Sequence, residues 1–279
     1  MTASTTGGDS MFRRDRIGSC AVADLFGQGD FGIRLEWGPV GARATRADVA
    51  VVVDVLSFST SVTVAVERGM RVFPYPWKGA RAQEFATARG AILAVGRLES
   101  MTYDAASAPS LSPAGLLACE PIPRLVLPSP NGSTIAATLL EGDSTVSIGC
   151  LRNAQAVADW LAPAVGAGCS VAVIAAGERW RFDDSLRPAL EDHLGAGAIL
   201  SALVALGYGD RFSPEAWAAA ELFDVNAGRL VERLHDCVGG RELDSLGFGT
   251  DVDVAAALNA SAVVPVLVDG AFQPAGGCE

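Results

Sequence analysis

Lysine is almost missing from this chain. Of the 21 basic residues in 279, Lys78 is the one lysine, and arginine carries the rest. A site that clamps an anion must therefore use arginine, backbone N–H groups or a metal ion. Positive charge is scarce altogether: 32 acidic residues leave a formal net charge of −11 and a pI near 4.7. Such a chain has no global attraction for nucleic acid or an anionic membrane surface. Histidine is as rare. His193 and His235 stand alone, without partners at ligand spacing, and are expected at the surface. The six cysteines, Cys20, Cys119, Cys150, Cys169, Cys237 and Cys278, include no Cys-x-x-C pair. That excludes the common zinc and dithiol motifs and predicts reduced thiols in the cytoplasm. No apolar run approaches the ~18 residues of a membrane helix, and no apolar segment follows Arg13-Arg14 to make an export signal.

The standard catalytic motifs are missing too. There is no G-x-x-x-x-G-K-[ST], no G-x-S-x-G and no H-E-x-x-H. "GAGAIL" lacks the third glycine and the preceding strand of a dinucleotide fingerprint. The Asp-x-Asp of "DVDV" precedes a helical run instead of closing an apolar strand, so Asp251 is expected to cap a helix.

What remains is a repeated unit: short apolar run, small-residue loop, helical run. It recurs from "DVAVVVDVL", "RLVLPS", "STVSIG" and "CSVAVIAAG", while "AVVPVLVDGAF" reads as a last strand. Strands buried on both faces read as continuous apolar runs. The pattern predicts a layered α/β/α fold around a mostly parallel or mixed central sheet. Residues 1–30 are expected to form a disordered tail and lead-in, and residues 31–279 a single domain. At 50% hydrophobic residues, the core needs no covalent staples. A homo-oligomer is compatible with the sequence.

Chemistry-bearing residues gather where such strands end. In open α/β sheets ligands bind beyond the carboxyl ends of strands. In "VVVDVLSFSTSVTVAV", Asp54 falls at a strand end, and Ser57, Ser59 and Thr60 fall at the start of the next helix. Those hydroxyls could simply cap the helix. A helix N-terminus also favours an anion, and an anion beside a carboxylate calls for a divalent cation between them. "SPNGST" repeats the theme with Asn131, Gly132 and Ser133, although Asn-Gly is also an ordinary turn. "GERWRFDDSLRPALEDHLGAG" carries Arg179, Arg187, Glu191 and Asp192. First-turn acidic residues complement a helix dipole, which is the structural alternative for the last two. They point about 100° apart on a helix, so one small site need not use both.

Taken together, "VVVDVLSFST", "LPSPNGST", "GCLRNAQAVADWL", "AAGERW…LRPALEDHLGAGAIL" and "LGFGTDVDVAAALNASAVVPVL" resemble the 2-phosphosulfolactate phosphatase family of coenzyme M biosynthesis. The resemblance runs from about Phe31 to Phe272. It implies an α/β fold and Mg2+-dependent hydrolysis of a small anionic phosphate ester, 2-phospho-3-sulfolactate, to sulfolactate and phosphate. By position it lays the family's motifs on Asp54 to Thr60, Asn131 to Ser133, Asn153, and Glu191 and Asp192; read from there, metal binding falls on Asp54, Glu99 and Glu191, and catalysis on Asp54, Glu191 and Asp192. Substrate contacts fall on Ser57, Ser59, Thr60, Asn131, Gly132, Ser133, Arg152, Asn153 and Arg179. The alternatives are another ester on the same fold, or an anion-binding relative without turnover. Where the family's first motif has arginine, this chain has Ser57, and the family's Gly-Glu-Arg is only approximated by Gly96, Arg97, Leu98 and Glu99. Either the ester is less charged, or a replacement arginine, Arg97 or Arg179, reaches the site.

Overall fold

The computed structural model describes residues 25–76, 80–97 and 109–276. The central strand β2 (Val49–Val53) shows why a sheet forms: it is a β-branched run buried on both faces. Val49, Val51 and Val53 enter one core, and Ala50 and Val52 the other. On one side of β2 lies β7 (Val171–Ala175), then β1 (Ile33–Trp37). On the other lies β6 (Thr145–Gly149), and all four strands run parallel.

A second parallel group, β3 (Arg71–Tyr75), β5 (Arg124–Pro128) and β4 (Ile92–Leu93), runs in the opposite direction. The hairpin of β10 (Pro265–Val268) and β11 (Ala271–Pro274) joins the groups, with β10 antiparallel to β6 and β11 antiparallel to β3. The order of this nine-stranded mixed sheet is β1-β7-β2-β6-β10-β11-β3-β5-β4. The expected last strand is thus two strands. Asp269 and Gly270 both have positive φ, +52° and +74°, which fits the tight turn that Asp-Gly favours.

The helices in chain order are α1 (Gly38–Thr45), α2 (Phe58–Glu67), α3 (Ala80–Ala88), α4 (Pro113–Ala118), α5 (Gly132–Leu139), α6 (Ala154–Gly166), α7 (Leu190–Ala205), α8 (Pro214–Asn226), α9 (Leu230–Asp236), α10 (Val238–Ser245) and α11 (Gly249–Ala256). Helix α5 contacts both β2 and β3, which lie four places apart in the sheet, so the sheet curls around its joining hairpin. Helix α2 lies inside the curl and is buried from Phe58 to Val66 on every side. That explains its sequence: it is apolar or small all round, with no charge before Glu67. Phe58 meets Phe272 of the hairpin edge-on at 6.3 Å, a pair worth about 0.5–1.5 kcal/mol beyond burial. On the outer face α6, α7 and α8 cover β1, β7 and β2. Gly197 lets α7 and α8 touch, since a Cβ there would lie 2.2 Å from the Ala219 carbonyl. Within the lead-in, buried Gln28 donates to the Leu35 carbonyl.

Candidate active site

Strand β2 ends at Val53, and the next residue, Asp54, is buried. One carboxylate oxygen accepts from the Phe58 N–H at 3.2 Å, the other from the Gly132 N–H at 2.9 Å. These are the first residues of α2 and α5. The anion at the two helix N-termini is therefore Asp54 itself. This corrects the expectation that Ser59, Thr60, Gly132 and Ser133 hold phosphate. Their hydroxyls turn inward: Ser59 donates to Val52 and accepts from the Asp54 N–H, Thr60 donates to Val55, and Ser133 to Leu127. All three are wholly buried, facing the interior from the first turns of α2 and α5.

Helix α7 brings two more carboxylates to the same place. Asp192 accepts from the Val55 N–H at 2.7 Å and the Gly177 N–H at 2.8 Å, tying the ends of β2 and β7 together. Glu191 is also buried, and its Oε2 has no hydrogen-bond partner. Both side chains of the Glu-Asp pair thus reach the site, despite their angular separation on the helix. Gly239 makes room for Glu191, since a Cβ there would lie 2.5 Å from its Oε1. A fourth carboxylate, Glu178, follows β7 as Asp54 follows β2, and accepts from Asn131 Nδ2 at 3.2 Å.

Crowding of these groups shows in their acidities. Burial pushes Asp54 up to about 6, the Glu191 charge adds to it, and the Phe58 and Gly132 N–H groups and Arg97 oppose it. Burial, then the charges of Asp54 and Glu191, hold Asp192 well above the usual carboxylate range. Glu178 is pushed up to about 7 by desolvation, then by Asp54 and Glu191, against the Asn131 hydrogen bond. That residue is exposed at the rim, so water screens part of the effect.

Beside these carboxylates opens a cleft of about 380 Å³ whose walls include Leu56, Arg97, Glu178, Glu242 and Phe248. A roomier groove, between Arg46 and Asp143, lies at the opposite end of β2 and carries none of this chemistry. Arg97 donates through Nη2 to the Ser57 hydroxyl and through Nε to Asp251 at 2.7 Å. An arginine thus reaches the position where this chain has Ser57. Asp251 also accepts from the Ala114 N–H at 3.1 Å and from Ser112. It serves the start of α4 and Arg97, not the cap of its own helix.

Other predicted site residues lie elsewhere. Asn153 accepts from the Cys150 N–H and donates to the Ile148 and Val263 carbonyls, a buried clamp with its capacity used on backbone. Arg152 is buried against the Val254 carbonyl and Glu67. Arg179 turns back on Asp184 in the short hairpin of β8 (Glu178–Arg179) and β9 (Leu186–Arg187), and Arg187 lies over the Trp180 ring. Asn131 faces the site through Glu178. Glu99 lies outside the described residues. Cys150 is buried, with its thiol pushed up by desolvation, so it is a poor nucleophile. His235, expected without partners, bridges Asp244 and Asp253 at 2.9 and 3.0 Å. Half-buried His193 packs edge-on against Trp37.

Sequence reasoning offered Arg97 as a replacement arginine but missed Glu178 and Asp251 as parts of the same site. Glu178 carried the same signal as Asp54, a carboxylate just past an apolar strand. Arg97 and Asp251 are 154 residues apart, and nothing local links them.

The model of the 2-phosphosulpholactate phosphatase family matches residues 40–270. A probable 2-phosphosulfolactate phosphatase of Deinococcus radiodurans is 30% identical over 232 residues, covering 82% of this chain and 91% of that protein. A 2-phosphosulfolactate phosphatase of Methanothermobacter thermautotrophicus is 27% identical over 239 residues, 83% of this chain and 92% of the other. With its carboxylates assembled at the strand ends and the match spanning most of its length, the chain belongs to the 2-phosphosulfolactate phosphatase family.

Proposed function

We propose that the protein hydrolyses the phosphate ester of a small phosphorylated acid, 2-phospho-3-sulfolactate by analogy with its relatives, with Mg2+ as cofactor. The observation that carries the reading is the convergence of Asp54, Glu191 and Glu178 beside a cleft lined by Arg97. The donor set fits the cation: it is all hard oxygen, and the Glu191 Oε2 is buried without a partner. Among the described residues no three Asp, Glu, His or Cys side chains are grouped so as to hold a metal ion together. Mg2+ suits that, because it keeps several waters and takes one or two carboxylates. Asp54 and Glu191 would hold it. When bound, the ion neutralises phosphoryl oxygens and the carboxylates around them.

The chain's own residues divide the remaining work. Two N–H donors fix Asp54 so that its carboxylate needs no reorganisation. Asp192 clasps Val55 and Gly177 and holds the two strand ends in register. Glu178, at the rim and near 7, accepts the proton of the attacking water; the ester oxygen leaves as an alkoxide and takes a proton from solvent as phosphate departs. The test is release of inorganic phosphate from a panel of phosphorylated acids, with and without Mg2+. Turnover of a phosphorylated hydroxy acid that stops with chelator supports the reading. Binding of such acids without release would make the protein an anion-binding relative instead.

A further inference from the structure

We propose that Asn131 is a positioning residue for the reaction: its side-chain amide aims the Glu178 carboxylate at the water it activates. The inference rests on the phosphatase reading and deepens it by naming what holds the base. Glu178 needs holding. It lies on β8, half of a two-stranded hairpin outside the main sheet, and is exposed. A glutamate there turns freely about its side-chain bonds, and a base out of reach takes no proton. Among the described residues the Asn131 amide is the one side chain that donates to it, Nδ2 to Oε2 at 3.2 Å. An ionised carboxylate only accepts, so the amide presents its NH2.

Asn131 stands at the N-cap of α5, yet its side chain makes no capping bond. Asparagine at that place ordinarily spends its oxygen on the first N–H groups of the helix. Here the side chain is turned to Glu178 instead. Its backbone is fastened. The Asn131 carbonyl accepts from the Ile135 N–H at 3.1 Å, and the next residue gives its N–H to Asp54 at 2.9 Å. Gly132 packs so closely on Phe58 and Asp54 that a Cβ would collide with both. Consecutive residues thus serve the two carboxylates: the Gly132 backbone fixes Asp54, and the Asn131 side chain fixes Glu178. The pair sets the base against the carboxylate that would hold the metal. Other charged groups face Glu178. Asp54 and Glu191 repel it, Arg187 lies opposite it in the hairpin, and Glu242 and Arg97 stand in the same cleft walls.

The test compares Asn131→Asp with wild type on 2-phospho-3-sulfolactate at saturating Mg2+. The change keeps the size of the side chain and replaces its donor by an acceptor. Aspartate is as good an N-cap as asparagine, so the melting temperature should hold. The kcat should fall about 10- to 100-fold, the cost usual for a partner that orients an active group, with KM within about threefold. The base works only when ionised, and the amide favours that form. The acid limb of the kcat profile should therefore move to higher pH. Asn131→Ala, which adds no charge, should move it the same way by less. In a Glu178→Gln background Asn131→Asp should cost less than about threefold, since no base is left to aim. A loss carried by KM with an unmoved limb, or one equally large beside Glu178→Gln, would make Asn131 a substrate contact and overturn the proposal. So would variants whose only change is a lower melting temperature. If wild type releases phosphate from no phosphorylated acid, the phosphatase reading fails. Carboxyl NMR then decides whether Asn131 holds Glu178: a Glu178 midpoint higher in Asn131→Ala than in wild type supports it, and an unchanged midpoint overturns it.

Discussion

At the scale of residues, Asp54 is the place to test first. It accepts two backbone N–H bonds and sits among like charges. Asp54→Asn removes the charge and turns an NH2 toward one of those donors. Partners one shell out from a metal are worth roughly 10- to 100-fold, so a direct ligand should cost at least the upper figure in Mg2+-dependent kcat/KM. Circular dichroism should show the fold intact. Near-normal turnover at limiting Mg2+ would remove Asp54 from the ligand set. Acidity gives a second test. The folded protein holds the Asp54 proton more tightly than the unfolded chain, about 6 against an ordinary 3.8. Stability from this group is therefore full below the unfolded value and is lost as pH rises through about 6. A cation competes with that proton. At pH 8, Mg2+ at a hundred times its Kd should add about 2.7 kcal/mol, a rise in Tm of roughly 5 °C, and at pH 5 markedly less. Calorimetry with equal shifts at both pH values would contradict cation binding at these carboxylates. Asp54 was legible from the sequence because it interrupts an apolar run. The inward turn of Ser59, Thr60 and Ser133 was not, because a hydroxyl at a helix start looks the same whether it meets solvent or the protein interior.

Elements set how closely the site's parts approach. Helix α5 must bring its first N–H to Asp54, and Gly132 permits it: a Cβ there would lie 2.3 Å from Phe58 and 2.9 Å from the carboxylate. In an ordinary helix Gly→Ala gains up to about 1 kcal/mol. Here overpacking of about 1–3 kcal/mol wins, so Gly132→Ala should be destabilised and should lose activity as Asp54 shifts. A urea melt showing a more stable variant would refute the close approach. The helices of the outer cleft wall are joined differently. His235 of α9 bridges Asp244 of α10 and Asp253 of α11, which raises its pKa above 6.5. This contribution is full below 6.5 and disappears as pH rises through the raised folded value. The ring is largely solvated, so the effect on stability is small. NMR titration should place His235 above 6.5; a value at or below it would mean the bridge does not form in solution. The sequence could not announce this bridge, since its spacings of 9 and 18 residues become short only when three helices fold together. Strands that are continuous apolar runs were readable, as in β2. The β10–β11 hairpin was read as one strand although Asp269-Gly270 stood in its middle, a turn signal masked by the apolar residues on either side.

For the molecule as a whole, composition predicts a fold that needs no disulfide. Cys119, Cys150, Cys169 and Cys237 are all free in the structure. Thermal melts with and without reductant should coincide; a large drop under reductant would point to a bond involving Cys20 or Cys278, outside the described residues. The mixed α/β architecture was legible too, because four apolar runs alternated with helical ones. The reversal between its two parallel groups was not, since strand direction across a hairpin depends on pairings that no local pattern records. That topology governs the order in which the chain can become native. Strand β1 pairs with β7, more than a hundred residues later, and the two groups join only through the last strands made. During synthesis, at about 5–20 residues per second, the early strands must wait many seconds for their partners. High sequence separation of this kind slows folding, and it leaves apolar strand edges open until the hairpin arrives. A nascent chain of this protein thus carries unpaired apolar strands through most of its synthesis.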